Sequence, residues 1–176
     1  AKGIEPQTRK LFKVTAMRHI PIFTFINKLD REARDPFELL DQLEKEFGIG
    51  TYPVNWPIGC GADFKGVFDR DRRQIMTFNE FHRGQDRLQA IECDITDTEK
   101  LDELIGEYSR RDLVDQIELL DGASFDFDID KVRCGELTPV FFGSALTNFG
   151  VEPFLENFLK MTTAPLARNT KEGEVV

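Results

Sequence analysis

Asn27, Lys28 and Asp30 close the apolar run I-P-I-F-T-F-I-N-K-L-D-R, Ile20 to Arg31, and their types and spacing suit one kind of recognition. The two oxygens of a carboxylate can accept from two neighbouring donors at once, a charge-assisted pair. Guanine offers such a pair in its ring N1–H and 2-amino group, and adenine does not. Asp30 would therefore select guanine by leaving the wrong base unpaired. Asn27 can hold the loop and face the N7/O6 edge of the base. The stem of Lys28 can lie along the ring while its ammonium stays in water. The plainer alternative is a polar loop after a strand. From average composition, Asn-Lys-x-Asp occurs by chance in about 2 of 100 chains this long, so its position has to add weight.

A second turn adds that weight. Ser144-Ala145-Leu146 follows the apolar run Pro139 to Gly143 and precedes a helical pattern. Its backbone N–H groups could donate to a guanine O6 while the Ser144 hydroxyl braces the turn. Alone, the tripeptide reads as an ordinary loop before a helix. Two such turns, each at the carboxyl end of a strand, lie where open α/β sheets bind ligands.

The elements that must position these residues can be read from periodicity and caps. Leu11, Val14 and Met17 have helical spacing within Glu5 to Arg18, and Ile20 to Ile26 reads as a strand buried on both faces. Asp35-Pro36-Phe37-Glu38 has an N-cap, a first-turn proline and an acidic third position. Phe37, Leu40, Leu43 and Phe47 share a face of the helix that follows, and Gly48 is placed to end it. From Thr51 the texture changes. Tyr52 to Gly59 is punctuated by Pro and Gly, and Lys65 to Asp69, Gln74 to Phe78 and Leu88 to Cys93 read as short strands. Thr96-x-x-Glu99 resembles a capping box opening one long helix, with Leu101, Leu104, Ile105, Tyr108, Leu113, Ile117 and Leu120 on its apolar side and Gly106 weakening it slightly. Asp128 to Glu136 reads as a short helix and Val151 to Met161 as a last one. The result is an α/β domain (1–55 and 135–165) interrupted by an α+β insertion (56–134), with 166–176 as an exit linker.

Composition narrows the partners. The chain has 176 residues, 40% apolar and 31% charged, with a net charge of -9. That charge argues against a broad nucleic-acid-binding face. Of the aromatics, 16 are Phe against 2 Tyr and 1 Trp, which suits core anchors better than stacking platforms. Cys60, Cys93 and Cys134 form no CxxC and lie far from His19 and His82 in sequence, so neither a zinc site nor a disulfide framework is expected, and a reducing cytoplasm fits. No apolar run reaches membrane-spanning length. No signal peptide precedes the first strand, and the lack of an initiator Met suggests a piece of a longer protein. Gly59-Cys60-Gly61 reads as a turn, His82 as a solvated hairpin residue, and Asp126 to Asp130 as the solvated start of a helix rather than a cation site. Asp63-Phe64-Lys65-Gly66 matches a bare Asp-x-x-Gly by chance.

The stretches A-K-G-I-E-P-Q-T-R-K, F-I-N-K-L-D-R, D-P-F-E-L-L-D, W-P-I-G-C-G-A-D-F-K-G-V-F-D and L-T-P-V-F-F-G-S-A-L-T-N-F-G-V closely resemble the G domain of the translational GTPases, in the peptide chain release factor 3 branch. Elongation factor G is similar at the first, second and last of them. The resemblance runs from end to end and implies the C-terminal part of a P-loop GTPase fold carrying an α+β insertion domain. It implies that Asn27, Lys28 and Asp30 form the fourth G motif and Ser144, Ala145 and Leu146 the fifth. It further implies GTP or GDP as ligand, the ribosome and class I release factors as partners, and Mg²⁺ only in the complete protein. A phosphate-binding loop, G-x-x-x-x-G-K-[ST], does not occur in these residues, so no catalytic or metal residue is expected in this chain. An elongation factor G-type translocase and a non-catalytic ribosome-docking module are the alternative readings.

Overall fold

The structure, a computed structural model, describes residues 3–18, 20–78, 88–123, 125–162, 168–170 and 173–175. His82 lies outside them. Local chemistry begins and ends the first elements. Helix α1 (Pro6–Ala16) starts with a proline, and strand β1 (Thr24–Ile26) follows. Helix α2 (Pro36–Phe47) is capped by Asp35, whose carboxylate accepts from the N–H groups of Phe37 (2.8 Å) and Glu38 (3.2 Å). Gly48, in the left-handed conformation at φ 64°, closes it. Leu39, Leu40 and Leu43 form the buried face of α2.

Strands β2 (Gly50–Pro53) and β3 (Asn55–Ile58) come next, then a 3-10 turn (Gly61–Asp63) and strands β4 (Gly66–Asp69), β5 (Gln74–Phe78) and β6 (Leu88–Glu92). Helices α3 (Thr98–Ile105), α4 (Glu107–Ala123) and α5 (Ile129–Cys134) lead to strand β7 (Leu137–Phe142) and helix α6 (Val151–Met161). Strands β8 (Arg168–Thr170) and β9 (Gly173–Val175) pair antiparallel. Two larger sheets result. β1, β7 and β2 form a parallel sheet in the order β1-β7-β2, and β3 to β6 form an antiparallel sheet in sequence order. All six residues of the central strand β7 are buried, as expected for a parallel strand covered on both faces.

The two sheets share one apolar core. Trp56 of β3 is fully buried, with its ring 4.7 Å from Phe37 of α2 and 5.4 Å from Phe142 of β7. Its indole N–H donates to Gln116 Oε1 at 2.6 Å. Asn55, beside it, is buried and completes the junction. Its Nδ2 donates to the Phe142 carbonyl (3.1 Å) and its Oδ1 accepts the Phe142 N–H (2.7 Å), so one side chain supplies the bonds of a strand neighbour.

Several sequence expectations are corrected. The strand expected over Ile20 to Ile26 is confined to Thr24–Ile26, and Phe23 and Phe25 are only half-buried, because β1 is the edge strand of its sheet. The Pro-punctuated stretch Tyr52 to Gly59 contributes to two strands. Pro53 ends β2, and Pro57 is tolerated because β3 is the edge of the antiparallel sheet, where one side of the backbone needs no ladder partner. The long helix breaks in two at Gly106, which adopts φ 81°. Its N-cap is Asp97, not Thr96: Asp97 accepts from the Lys100 N–H, while Thr96 bonds to Asp94. Tyr108, expected in the core, is 85% exposed, because the break turns the start of α4 away from the apolar face. The exit linker expected over 166–176 includes β8 and β9.

Candidate functional site

Neighbouring parallel strands release their loops on the same edge. β1 and β7 are adjacent, with Ile26 opposite Phe142, so the Asn27–Arg31 and Ser144–Gly150 loops emerge together. Backbone bonds carry the pairing past the strands. The Gly143 N–H donates to the Ile26 carbonyl (3.0 Å), and the Leu29 N–H to the Gly143 carbonyl (3.2 Å). Position 143 must be glycine for this approach: a Cβ there would lie 2.5 Å from the Phe149 carbonyl oxygen and 2.7 Å from the Phe25 ring.

Side chains then lock the two loops to each other. Asn27 Oδ1 accepts from the N–H of Lys28 (2.7 Å) and from that of Ala145 (2.9 Å). Lys28 sits at φ 72°, an uncommon conformation for a residue with a Cβ, held by this bond and by the Arg31 N–H donating to its carbonyl at 3.2 Å. Leu29, 1% exposed, anchors the turn in the core, so Lys28 and Asp30 are directed outward from a fixed point. The fully buried Ser144 donates from Oγ to Asp30 Oδ1 at 2.5 Å. Ser144 and Phe149 exchange backbone bonds of 3.0 and 2.8 Å, closing the second loop into a tight ring.

This arrangement sets the charge on Asp30. The Ser144 hydroxyl bond, with a smaller contribution from Arg31, holds the Asp30 carboxyl below the usual carboxylate range. Arg31 Nε lies 3.6 Å from Asp30 Oδ2 on an exposed, movable side chain. An ionised carboxylate has about four acceptor positions. With Ser144 on Oδ1, Asp30 keeps capacity for a ligand's paired donors.

Of the residues expected to contact a base, Asn27, Lys28, Asp30, Ser144 and Ala145 are brought together. The Leu146 side chain is 76% exposed and offers only its backbone. The Ala145 N–H, expected to face a ligand, is engaged by Asn27. A cleft of about 450 Å³ adjoins Asn27 and Lys28, walled by Thr8 of α1, Ile26 of β1 and Leu39 of α2. Asp30 and Ser144 lie outside its lining, so the cleft reaches one of the two loops and not the Asp30–Ser144 pair. Among the described residues, no group of three or more His, Cys, Asp or Glu could hold a metal ion. No helix among them is long and apolar enough to cross a membrane.

Sequence reasoning missed Asn55, which fixes the end of β7 just ahead of Ser144. The only signal was one amide among apolar residues in P-V-N-W-P-I. It also read the turn at Gly61 as inert, although the Gly61 N–H donates to the Leu29 carbonyl at 2.9 Å.

Comparison with known proteins identifies the family of the chain. Residues 1–164 match the Elongation factor Tu GTP binding domain family. The chain is 50% identical over 175 residues to peptide chain release factor 3 of Synechococcus elongatus, covering 99% of this chain and 31% of that protein. It is 51% identical over 168 residues to the protein of the same name from Symbiobacterium thermophilum, covering 96% and 32%. The chain thus spans about a third of the length of these relatives. A crystal structure of a Thermus thermophilus protein shares the fold, with a TM-score of 0.60 at 21% identity over 93% of this chain and 25% of the other. The chain belongs to the Elongation factor Tu GTP binding domain family.

Proposed function

We propose that this chain is the guanine-recognising part of a release factor 3-type GTPase, which uses GTP on the ribosome to free class I release factors during termination in the cytoplasm. The observation that carries the reading is the bond from buried Ser144 to Asp30, joined to the bridge from Asn27 to Ala145. Two loops far apart in sequence are locked so that an ionised carboxylate projects from their junction. Asp30 would accept from guanine N1–H and the 2-amino group, Lys28 would lie along the ring, and the backbone of Leu146 would face O6. The parts that cradle phosphates, bind Mg²⁺ and orient water in this class are a phosphate-binding loop and switch segments, and these 176 residues contain no phosphate-binding loop sequence. The chain by itself is therefore expected to contact only the base of GTP or GDP and to release no phosphate.

The test is Asp30→Asn in the full-length protein. An amide can donate where the carboxylate only accepts, and xanthine presents a carbonyl in place of the 2-amino group. GDP affinity should fall about a hundredfold and XDP affinity should rise, in keeping with the strength of charge-assisted pairs. An unchanged GDP/XDP ratio would refute the role of Asp30. Ribosome binding with no preference for guanine would leave the docking-module reading in its place.

A further inference from the structure

The run W-P-I-G-C-G-A-D-F-K, Trp56 to Lys65, turns away from the antiparallel sheet, and that turn reaches both loops of the candidate site. The Gly61 N–H donates to the Leu29 carbonyl at 2.9 Å, on the peptide that joins Leu29 to Asp30. Three residues on, the Phe64 ring stands edge-on to Phe149, with centroids 5.1 Å apart and planes at 76°. Phe149 is fully buried, and its backbone holds Ser144 through the two bonds described above.

The turn is itself tightly held. Gly59, at φ 74°, passes so near Asp63 that a Cβ would lie 2.2 Å from the Asp63 carbonyl oxygen. The Lys65 N–H donates to the Ile58 carbonyl at 2.9 Å. Lys65 Nζ donates to the Ile105 carbonyl at the end of α3 and to Ser109 Oγ of α4 at 2.9 Å. One short segment therefore connects the bend between α3 and α4 to the loop carrying Asp30 and to the loop carrying Ser144.

We infer that this turn of the insertion is a specificity element of the guanine site, with the Gly61 amide and the Phe64 ring as positioning residues for the Asp30–Ser144 pair. The inference rests on the guanine reading of that pair. A bidentate contact tolerates displacements of only about 0.5 Å or 10–20°. The Gly61 bond fixes the peptide that aims Asp30, and the Phe64 contact fixes the strand partner of Ser144. Loosening either lets the carboxylate drift from the position where it accepts two donors. The cost falls on the contact to the 2-amino group more than on nucleotide binding as a whole.

The experiment compares GDP with inosine diphosphate, which lacks the 2-amino group, by calorimetry on the full-length protein. An edge-on aromatic contact of about 0.5–1.5 kcal/mol corresponds to a two- to tenfold change. Phe64→Ala should lower the GDP/IDP affinity ratio by that factor, and Phe64→Tyr, which keeps the ring, should restore it. Should Phe64→Ala not fold, Phe64→Leu keeps the apolar volume without the ring and should still lower the ratio. An unchanged ratio, or a uniform loss for both nucleotides, would overturn the inference, since a merely structural residue moves both equally. Asp30→Asn, measured alongside with XDP, separates the two claims. If it shifts preference toward xanthine while the Phe64 variants keep the ratio, the inference alone fails. If it causes no shift, the guanine reading fails and the inference with it.

Discussion

Replacing Asn55 with leucine removes both side-chain bonds to Phe142 while keeping nearly the same volume. Asn55 is 2% exposed and Phe142 is fully buried, so water cannot replace either bond without opening the core. The change leaves the Phe142 N–H, bonded at 2.7 Å, and its carbonyl, bonded at 3.1 Å, without those partners. Each unpaired buried group costs about 1–3 kcal/mol, so the two come to about 2–6 kcal/mol. Leucine recovers roughly 1–2 kcal/mol because it has no amide to dehydrate. A net loss of about 0–5 kcal/mol, centred near 2.5 kcal/mol, follows from these figures, against a total stability of about 5–15 kcal/mol for an ordinary domain.

Urea unfolding measures this loss, and the chain carries its own probe. Trp56 is the single tryptophan, adjoins Asn55 in sequence and is fully buried between Phe37 and Phe142. Its fluorescence should report a lower midpoint with an unchanged slope. Asn55→Asp refines the test. Its carboxylate can still accept the Phe142 N–H but repels the Phe142 carbonyl, so burial and repulsion raise its folded pKa above the unfolded value of about 3.9. A raised folded pKa means that the folded state holds the proton more tightly, and stability is regained as pH falls through that folded pKa. The aspartate variant should therefore lose less stability at mildly acidic pH than at pH 7. A wild-type midpoint for Asn55→Leu, or equal losses for Asn55→Asp at both pH values, would refute the argument that Asn55 acts as a surrogate strand neighbour.

Ser144→Ala removes the main cause of the lowered Asp30 pKa, and the carboxyl should titrate closer to the ordinary carboxylate value, as followed by NMR. In the wild type this depressed pKa contributes stability above the unfolded pKa of about 3.9 and loses it as pH falls through the folded value. The variant should lack that part of the acid transition, and an unmoved Asp30 titration would show that Ser144 does not set it. The insertion, residues 56–134, is proposed as a separable lobe. Expressed alone it should give dispersed amide resonances and a cooperative melt, at a temperature lowered by loss of the Trp56 contacts with Phe37 and Phe142. A spectrum without dispersion would show that the lobe depends on the parallel sheet.

What was legible in the sequence was local. The cap at Asp35 and the left-handed Gly48 act within a turn of the residues they bond, and their signals survived into the structure. The bounds of β5 and α6 were likewise readable, because a run of matched periodicity between polar breaks needs no partner to announce it. The two loops of the candidate site were visible as residue types at the ends of apolar runs. Which donor would meet which acceptor was not. That Asn27 takes the Ala145 N–H and Ser144 takes Asp30 depends on β1 and β7 lying side by side in parallel, a pairing that spans the whole insertion. Long-range contacts also decided the departures from expectation. Gly106 ends a helix where the Lys65 ammonium binds the freed Ile105 carbonyl, and Tyr108 falls outside the core as a result. Prolines hid β2 and β3 because a proline interrupts a ladder only where its missing N–H would have met a partner, and Pro53 comes at the end of β2 while Pro57 lies on the edge strand β3. Asn55, read alone, is an amide in an apolar run; only the end of β7 passing beside it gives both of its polar atoms a partner.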